Sequence, residues 1–237
     1  MDAVTYYVYI GFACLSYVSL SVAFVVGLIS WKNSITPLRA LTVLLGVGCF
    51  VDTYVFYLLF SKIITNTLVP DIYTFVDFLL VCTLLFAFGK NVISSSYKYT
   101  LFTIVLLYSV FWMVSIYRQH LAPNPLPMTL YHRPVEALAL VFLISGIILE
   151  YKRAKVLDVN EPEFYIFIGY LIYYFILALL LISKMLLINY YKYTLIWVGH
   201  GVVALVKNYL LISAFFLYNR RWKSHYFSQA SSLPYSL

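Results

Sequence analysis

Charge is what this sequence has least of. Asp, Glu, Lys and Arg make up 11% of its 237 residues, against about 25% in an ordinary soluble domain. That deficit excludes a water-soluble domain with a polar shell. Cysteine is scarce too. Cys14, Cys49 and Cys82 all fall inside hydrophobic blocks, without CxxC spacing and with no nearby His or Cys. This excludes a metal site local in sequence and leaves the three as small packing residues. Proline is missing from block interiors. Pro37, Pro70, Pro123, Pro125, Pro127, Pro134, Pro162 and Pro234 fall in expected loops, in the tail or at helix starts, so no helix is expected to lose an N–H donor in lipid. A transporter built on broken helices carries Gly or Pro interruptions at matching places in two halves. That pattern is absent, as is any internal repeat. GxGD, HExxH and convincing Ser–Lys or Ser–His spacings are also absent. No enzyme activity and no cofactor are therefore expected.

Long apolar runs fill the space instead. Hydrophobic residues make up 63% of the chain, and the mean hydropathy is +0.89. Spanning a bilayer takes about 20 apolar residues. Seven blocks qualify, at approximately 5–30, 40–61, 71–89, 99–117, 133–150, 164–187 and 194–218. They predict an all-α, seven-transmembrane-helix bundle forming one membrane domain over 1–237. Asn189–Lys192 is expected to be a tight hairpin. The loop 118–132, with Ala122-Pro123-Asn124-Pro125-Leu126-Pro127, is expected to be extended. The N-terminus MDAVTYY has no basic leader, and its apolar block exceeds a cleaved signal peptide. It is expected to remain as the first helix.

The net charge is +7. No basic segment is interleaved with aromatics in the way single-stranded nucleic acid requires, so no nucleic-acid partner is expected. Lys32, Arg39, Lys90, Lys98, Lys152, Arg153, Lys155, Arg220, Arg221 and Lys223 cluster at one set of helix ends. Lys62, Arg118, Arg133, Lys184 and Lys192 mark the other. The bias predicts an outside N-terminus and a cytoplasmic C-terminus in an inner (cytoplasmic) membrane. The tail 219–237 is expected to be short and cytoplasmic. Any output then needs a membrane or cytoplasmic protein partner. Tyrosines such as Tyr6, Tyr7, Tyr190, Tyr191 and Tyr193 sit near block ends, where interfacial anchoring accounts for them.

Ionisable residues inside membrane spans are functional-site candidates. Asp77 lies about 9 Å inside helix three, Glu136 about 5 Å inside helix five and His200 about 9 Å inside helix seven. Together with Asn208 they are expected to form an outward-facing polar pocket. Asp52, about 20 Å from the cytoplasmic end of helix two, and Lys207, about 17 Å from that of helix seven, are expected to form a buried ion pair, directly or through one water. Gly199 and Gly201 are expected to let a neighbour approach helix seven closely.

The segments Ile72-Tyr73 to Asp77-Phe78, Gly169-Tyr170-Leu171-Ile172-Tyr173-Tyr174-Phe175, and Trp197, His200 and Asn208 carry a resemblance. They are similar to the helices of a group of uncharacterised seven-helix inner-membrane proteins of Bacteroidota-type bacteria. Ala204 departs from that pattern, where the group has an Asn. The resemblance implies the topology and the outer polar residues, but no activity. Function is expected to be that of a receptor-like or sensory module signalling through a partner. The alternatives are an accessory subunit of a larger membrane complex and a transporter, channel or retinal-type protein using Lys207.

Overall fold

The computed structural model describes residues 3–60, 68–118, 129–186 and 193–231. Seven α-helices form: α1 Ala3–Ser30, α2 Thr36–Phe60, α3 Leu68–Gly89, α4 Ser95–Ile116, α5 Thr129–Arg153, α6 Pro162–Leu186 and α7 Tyr193–Ser231, with a 3-10 turn at Trp31–Asn33 between α1 and α2. Seven spans of 19 to 23 residues within them are long and apolar enough to cross a membrane. The outer surface is greasy as well, with Ile29, Phe50, Phe102, Leu107, Phe142 and Phe216 exposed. A soluble monomer seldom presents such a continuous apolar surface. This is the architecture of a multi-pass membrane protein.

Several helices outrun their apolar blocks, because capping and packing extend them through residues that hydropathy does not mark. At α4, Ser94 accepts a hydrogen bond from the Tyr97 N–H (3.2 Å), and its own N–H donates to Glu150 Oε2 of α5 (2.7 Å). A serine N-cap of this kind fixes where a helix begins. Helix α5 begins at Thr129 rather than 133, so part of the expected extended loop is helical and Pro134 lies inside the helix. That corrects the expectation that no proline falls beyond a helix start. Pro134 sits early enough that it removes only one backbone hydrogen bond near the helix start. Helix α7 continues well past residue 218, so most of the expected tail is helical. Residues 187–192, where the hairpin was expected, lie outside the described residues.

Successive helices alternate in direction, as cross-helix contacts show. Tyr17 pairs with Thr53 and Tyr97 with Leu143, in antiparallel order. Ser30 pairs with Asn219, and Asn208 with Ser19, in parallel order. Six helices close a ring in the order α1, α2, α3, α5, α6, α7, while α4 packs outside against α3 and α5. Helix α1 therefore stands between α2 and α7, and α4 is the helix displaced from a sequential ring.

Close approaches hold the ring. A Cβ at Gly201 would stand 3.1 Å from Phe12 Cβ on α1, and one at Gly199 would stand 3.3 Å from Leu180 on α6. Both glycines of α7 thus serve the close packing expected of them. The core of Leu41, Phe78, Leu84, Leu140, Ile144, Phe167 and Phe215 fills the half of the ring that contains the α1–α2 turn. Cys82 is buried, Cys49 is partly covered, and Cys14 is exposed on the outside of α1.

Candidate functional site

The opposite half of the ring is polar. Helix α6 supplies two consecutive tyrosines, and successive residues of a helix point about 100° apart. Tyr174 turns to α3 and donates a 2.7 Å hydrogen bond to Asp77 Oδ2. Tyr173 turns to α7, where its hydroxyl and His200 Nε2 lie 2.9 Å apart. Their rings meet edge to face at 4.9 Å. Asp77 and His200, expected to share a site, are thus joined through two side chains of a third helix.

Lys207 lies on the same face of α7 as His200, two turns along. Its Nζ stands 4.3 Å from the centre of the Tyr173 ring and 5.6 Å from that of Tyr170. A cation over aromatic faces is attracted to their negative quadrupole. The carboxylates within its electrostatic reach are Asp77 first and Asp52 second. Among the described residues Lys207 makes no contact ion pair; those found are His132 with Asp71 and Arg153 with Glu150. Asp52 and Lys207 are therefore not directly bridged. The reason is ring order: α1 stands between α2 and α7 at this level, where Tyr17 meets Thr53 on one side and Ser19 meets Asn208 on the other.

Glu136 and Asn208 are placed apart from Asp77 and His200. Glu136 is buried on α5 and receives Tyr108 Oη of α4 at 3.4 Å, long for a hydroxyl bond to a carboxylate. It feels the charge of Asp77 but does not touch it. Asn208 faces α1, where its Nδ2 donates to Ser19 Oγ (2.9 Å) and the Ser16 carbonyl (3.3 Å). It belongs to the α1–α7 seam, which corrects its expected place in the pocket. Adjacent residues cannot share one helix face, and Lys207 takes the interior one.

Three features escaped the sequence reading. Tyr173 and Tyr174 were named only within the segment that carries the resemblance, with no role that set them apart from the other tyrosines among the 24. Tyr170, with its ring beneath Lys207, was hidden in the same way. The third is a buried contact near the start of α3 and α5. His132 Nε2 approaches Asp71 Oδ1 at 3.4 Å, and Trp112 Nε1 donates to the Asp71 carbonyl at 3.2 Å. The His132 contact meets an ion-pair distance but not hydrogen-bond geometry, so both ring nitrogens lack a hydrogen-bond partner. We read it as an electrostatic contact only. Among the described residues no group of three or more His, Cys, Asp or Glu is arranged to hold a metal ion.

Asp77, Tyr173, His200 and Lys207 share one further property. Each is surrounded by protein, yet each keeps part of its surface uncovered. Neighbouring core residues such as Phe78 and Leu211 are fully covered. The class defined by this fold and site is a helical multi-pass membrane protein with a polar, tyrosine-lined interior. No family model, curated protein or solved structure matches the chain.

Proposed function

We propose that this protein is a receptor-like seven-helix membrane module that takes a small polar ligand into the polar half of its ring. The observation that carries the reading is the Asp77–Tyr174 and Tyr173–His200 pair of hydrogen bonds. It draws α3, α6 and α7 together around side chains that remain partly uncovered. Ionisable groups inside a membrane bundle are costly, and they mark ligand or ion sites. A ligand that competes for either tyrosine hydroxyl changes how α6 sits against its neighbours.

The orientation follows from charge. Lys32, Arg39, Lys90, Lys98, Lys152, Arg153, Lys155 and Arg220 gather at one end of the alternating bundle. That end is the cytoplasmic one under the positive-inside bias, in a bacterial inner membrane, and the polar half of the ring then opens outward. The helical continuation of α7 to Ser231 emerges on the basic side, where it offers a surface to a protein partner.

Two measurements test this. Native mass spectrometry of the purified protein should reveal a retained low-mass polar compound, or stabilisation by a fraction of cell extract, that Asp77→Asn and His200→Gln abolish. Equal behaviour of wild type and both variants would count against an interior ligand site. A reporter fused after Arg221 should read cytoplasmic, and a periplasmic reading reverses the orientation.

An accessory subunit of a larger complex is the second reading. It is favoured by α4, which stands outside the ring and exposes Tyr99, Phe102, Leu106, Leu107, Val110 and Met113. Purification from native membrane with a stoichiometric partner crosslinked through α4 would support it.

A further inference from the structure

The interior charges do not pair with one another, and the unpaired groups describe a ligand. Lys207 has neither a hydrogen bond nor a contact ion pair among the described residues, only the faces of Tyr173 and Tyr170. Asp52 likewise has no hydrogen bond or direct cationic partner among them, and Asp77 has the Tyr174 hydroxyl alone. Yet the three groups lie within one another's electrostatic reach. A simple anion would compensate Lys207 and leave both carboxylates. A simple cation would compensate a carboxylate and leave the ammonium. A molecule carrying both charges leaves the net charge unchanged but gives the ammonium and the carboxylates an opposite charge each to contact, and a buried charge without a contact partner is what such a site avoids.

Two tyrosines add a second, independent observation. Tyr170 is only 3% exposed, and its hydroxyl has no hydrogen-bond partner among the described residues, although its ring faces Lys207 at 5.6 Å. The hydroxyl oxygen itself is not among the buried atoms left without a partner, so it keeps open surface on which a ligand can act. Tyr73 of α3 brings a further hydroxyl without a hydrogen-bond partner among the described residues. A Cβ at Gly48 of α2 would stand 3.4 Å from it, so it reaches across to the helix that carries Asp52. The Tyr170 and Tyr174 rings lie nearly parallel with centroids 6.0 Å apart, giving the interior aromatic walls.

We infer that the site binds a zwitterion with an apolar or aromatic side chain, of the amino-acid class, its carboxylate on Lys207 and Tyr170 and its ammonium toward Asp77 and Asp52. This rests on the proposed interior ligand site and narrows it. Lys207, Asp77 and Asp52 then act as a charge filter, and the tyrosine rings receive the side chain.

Three probes of nearly equal size separate the possibilities: L-phenylalanine, phenethylamine and 3-phenylpropionate, each titrated against the full chain in detergent or nanodiscs. L-phenylalanine should bind wild type with a Kd about tenfold or more below either singly charged probe. Lys207→Met should remove its advantage over phenethylamine, and Asp77→Asn its advantage over 3-phenylpropionate. If Asp77→Asn does not fold, Asp52→Asn serves the same arm. A singly charged probe binding wild type as tightly as L-phenylalanine overturns the zwitterion but leaves an interior site of another charge class. Binding by none of the three also overturns it, and the co-purification measurement then decides the underlying reading separately.

Discussion

Tyr173 and Tyr174 are consecutive residues of α6, and they hold different helices: Tyr174 binds Asp77 of α3 at 2.7 Å, and Tyr173 binds His200 of α7 at 2.9 Å. The tyrosine couple therefore ties three helices together on the polar side of the ring.

Removing one of these bonds should have a modest, measurable cost. Tyr174→Phe is expected to destabilise the protein by about 0.6 to 1.7 kcal/mol, the range found for hydrogen bonds between membrane helices. Combined with Asp77→Asn, it should cost less than the sum of the single changes, because both remove the same contact. Melting curves of the four proteins in one detergent check this; strict additivity would mean the bond contributes nothing to stability.

Lys207 should behave as an ammonium without a contact partner. Removing one member of a direct buried salt bridge costs about 3 to 5 kcal/mol. Lys207→Met should instead melt at or above the wild-type temperature, because it removes a buried charge that no contact compensates. Its coupling to Asp52→Asn should stay below about 0.5 kcal/mol. A steep loss of stability in Lys207→Met that Asp52→Asn rescues would restore the direct pair.

Gly146 on α5 is the tightest test of the α4 docking. A Cβ there would stand 2.6 Å from Tyr97 Cε2, and Tyr97 is buried with its hydroxyl tied to the Leu143 carbonyl. The ring cannot retreat without breaking that bond. Gly146→Ala should therefore cost about 1 to 3 kcal/mol, as overpacking does. Gly11→Ala is the control. Nothing lies within 4 Å of its Cβ position, and it should be neutral or mildly stabilising by helix propensity.

The parallel seam of α1 and α7 can be captured chemically. Ser30 Oγ and Asn219 Nδ2 lie 2.7 Å apart. In a background lacking Cys14, Cys49 and Cys82, Ser30→Cys with Asn219→Cys should crosslink with oxidant or a short bismaleimide, detected as altered gel mobility after cleavage between the helices. Free thiols under the same conditions would contradict the packing of α1 on α7.

The seven helices were legible in the sequence because hydrophobic block length reports directly on the bilayer. Their ends were less so. Helix α7 runs beyond its apolar block through Arg220 and Lys223 to Ser231, and hydropathy falls silent once a helix leaves the apolar layer. Asp77 and His200 stood out as ionisable groups in apolar runs, and they do meet, through Tyr174 and Tyr173. The intermediaries were invisible because a membrane tyrosine reads equally well as an anchor or as a hydrogen-bond donor. The seat of Asn208 against Ser19, and of α1 between α2 and α7, depends on which helices pack together. Hydropathy carries no information about that order.

Helix α7 has unequal arms. From Lys207 to Ser231 it runs about 36 Å, while from Lys207 back to His200 it runs about 10 Å. A tilt of about 5° pivoting at Lys207 shifts His200 by less than about 1 Å and carries Ser231 about 3 Å. Asn219, on that longer arm, is hydrogen-bonded to Ser30 of α1. About such a pivot, a displacement the size of one lengthened hydrogen bond at His200 would reach the basic end of α7, where α1 packs against it, enlarged roughly threefold.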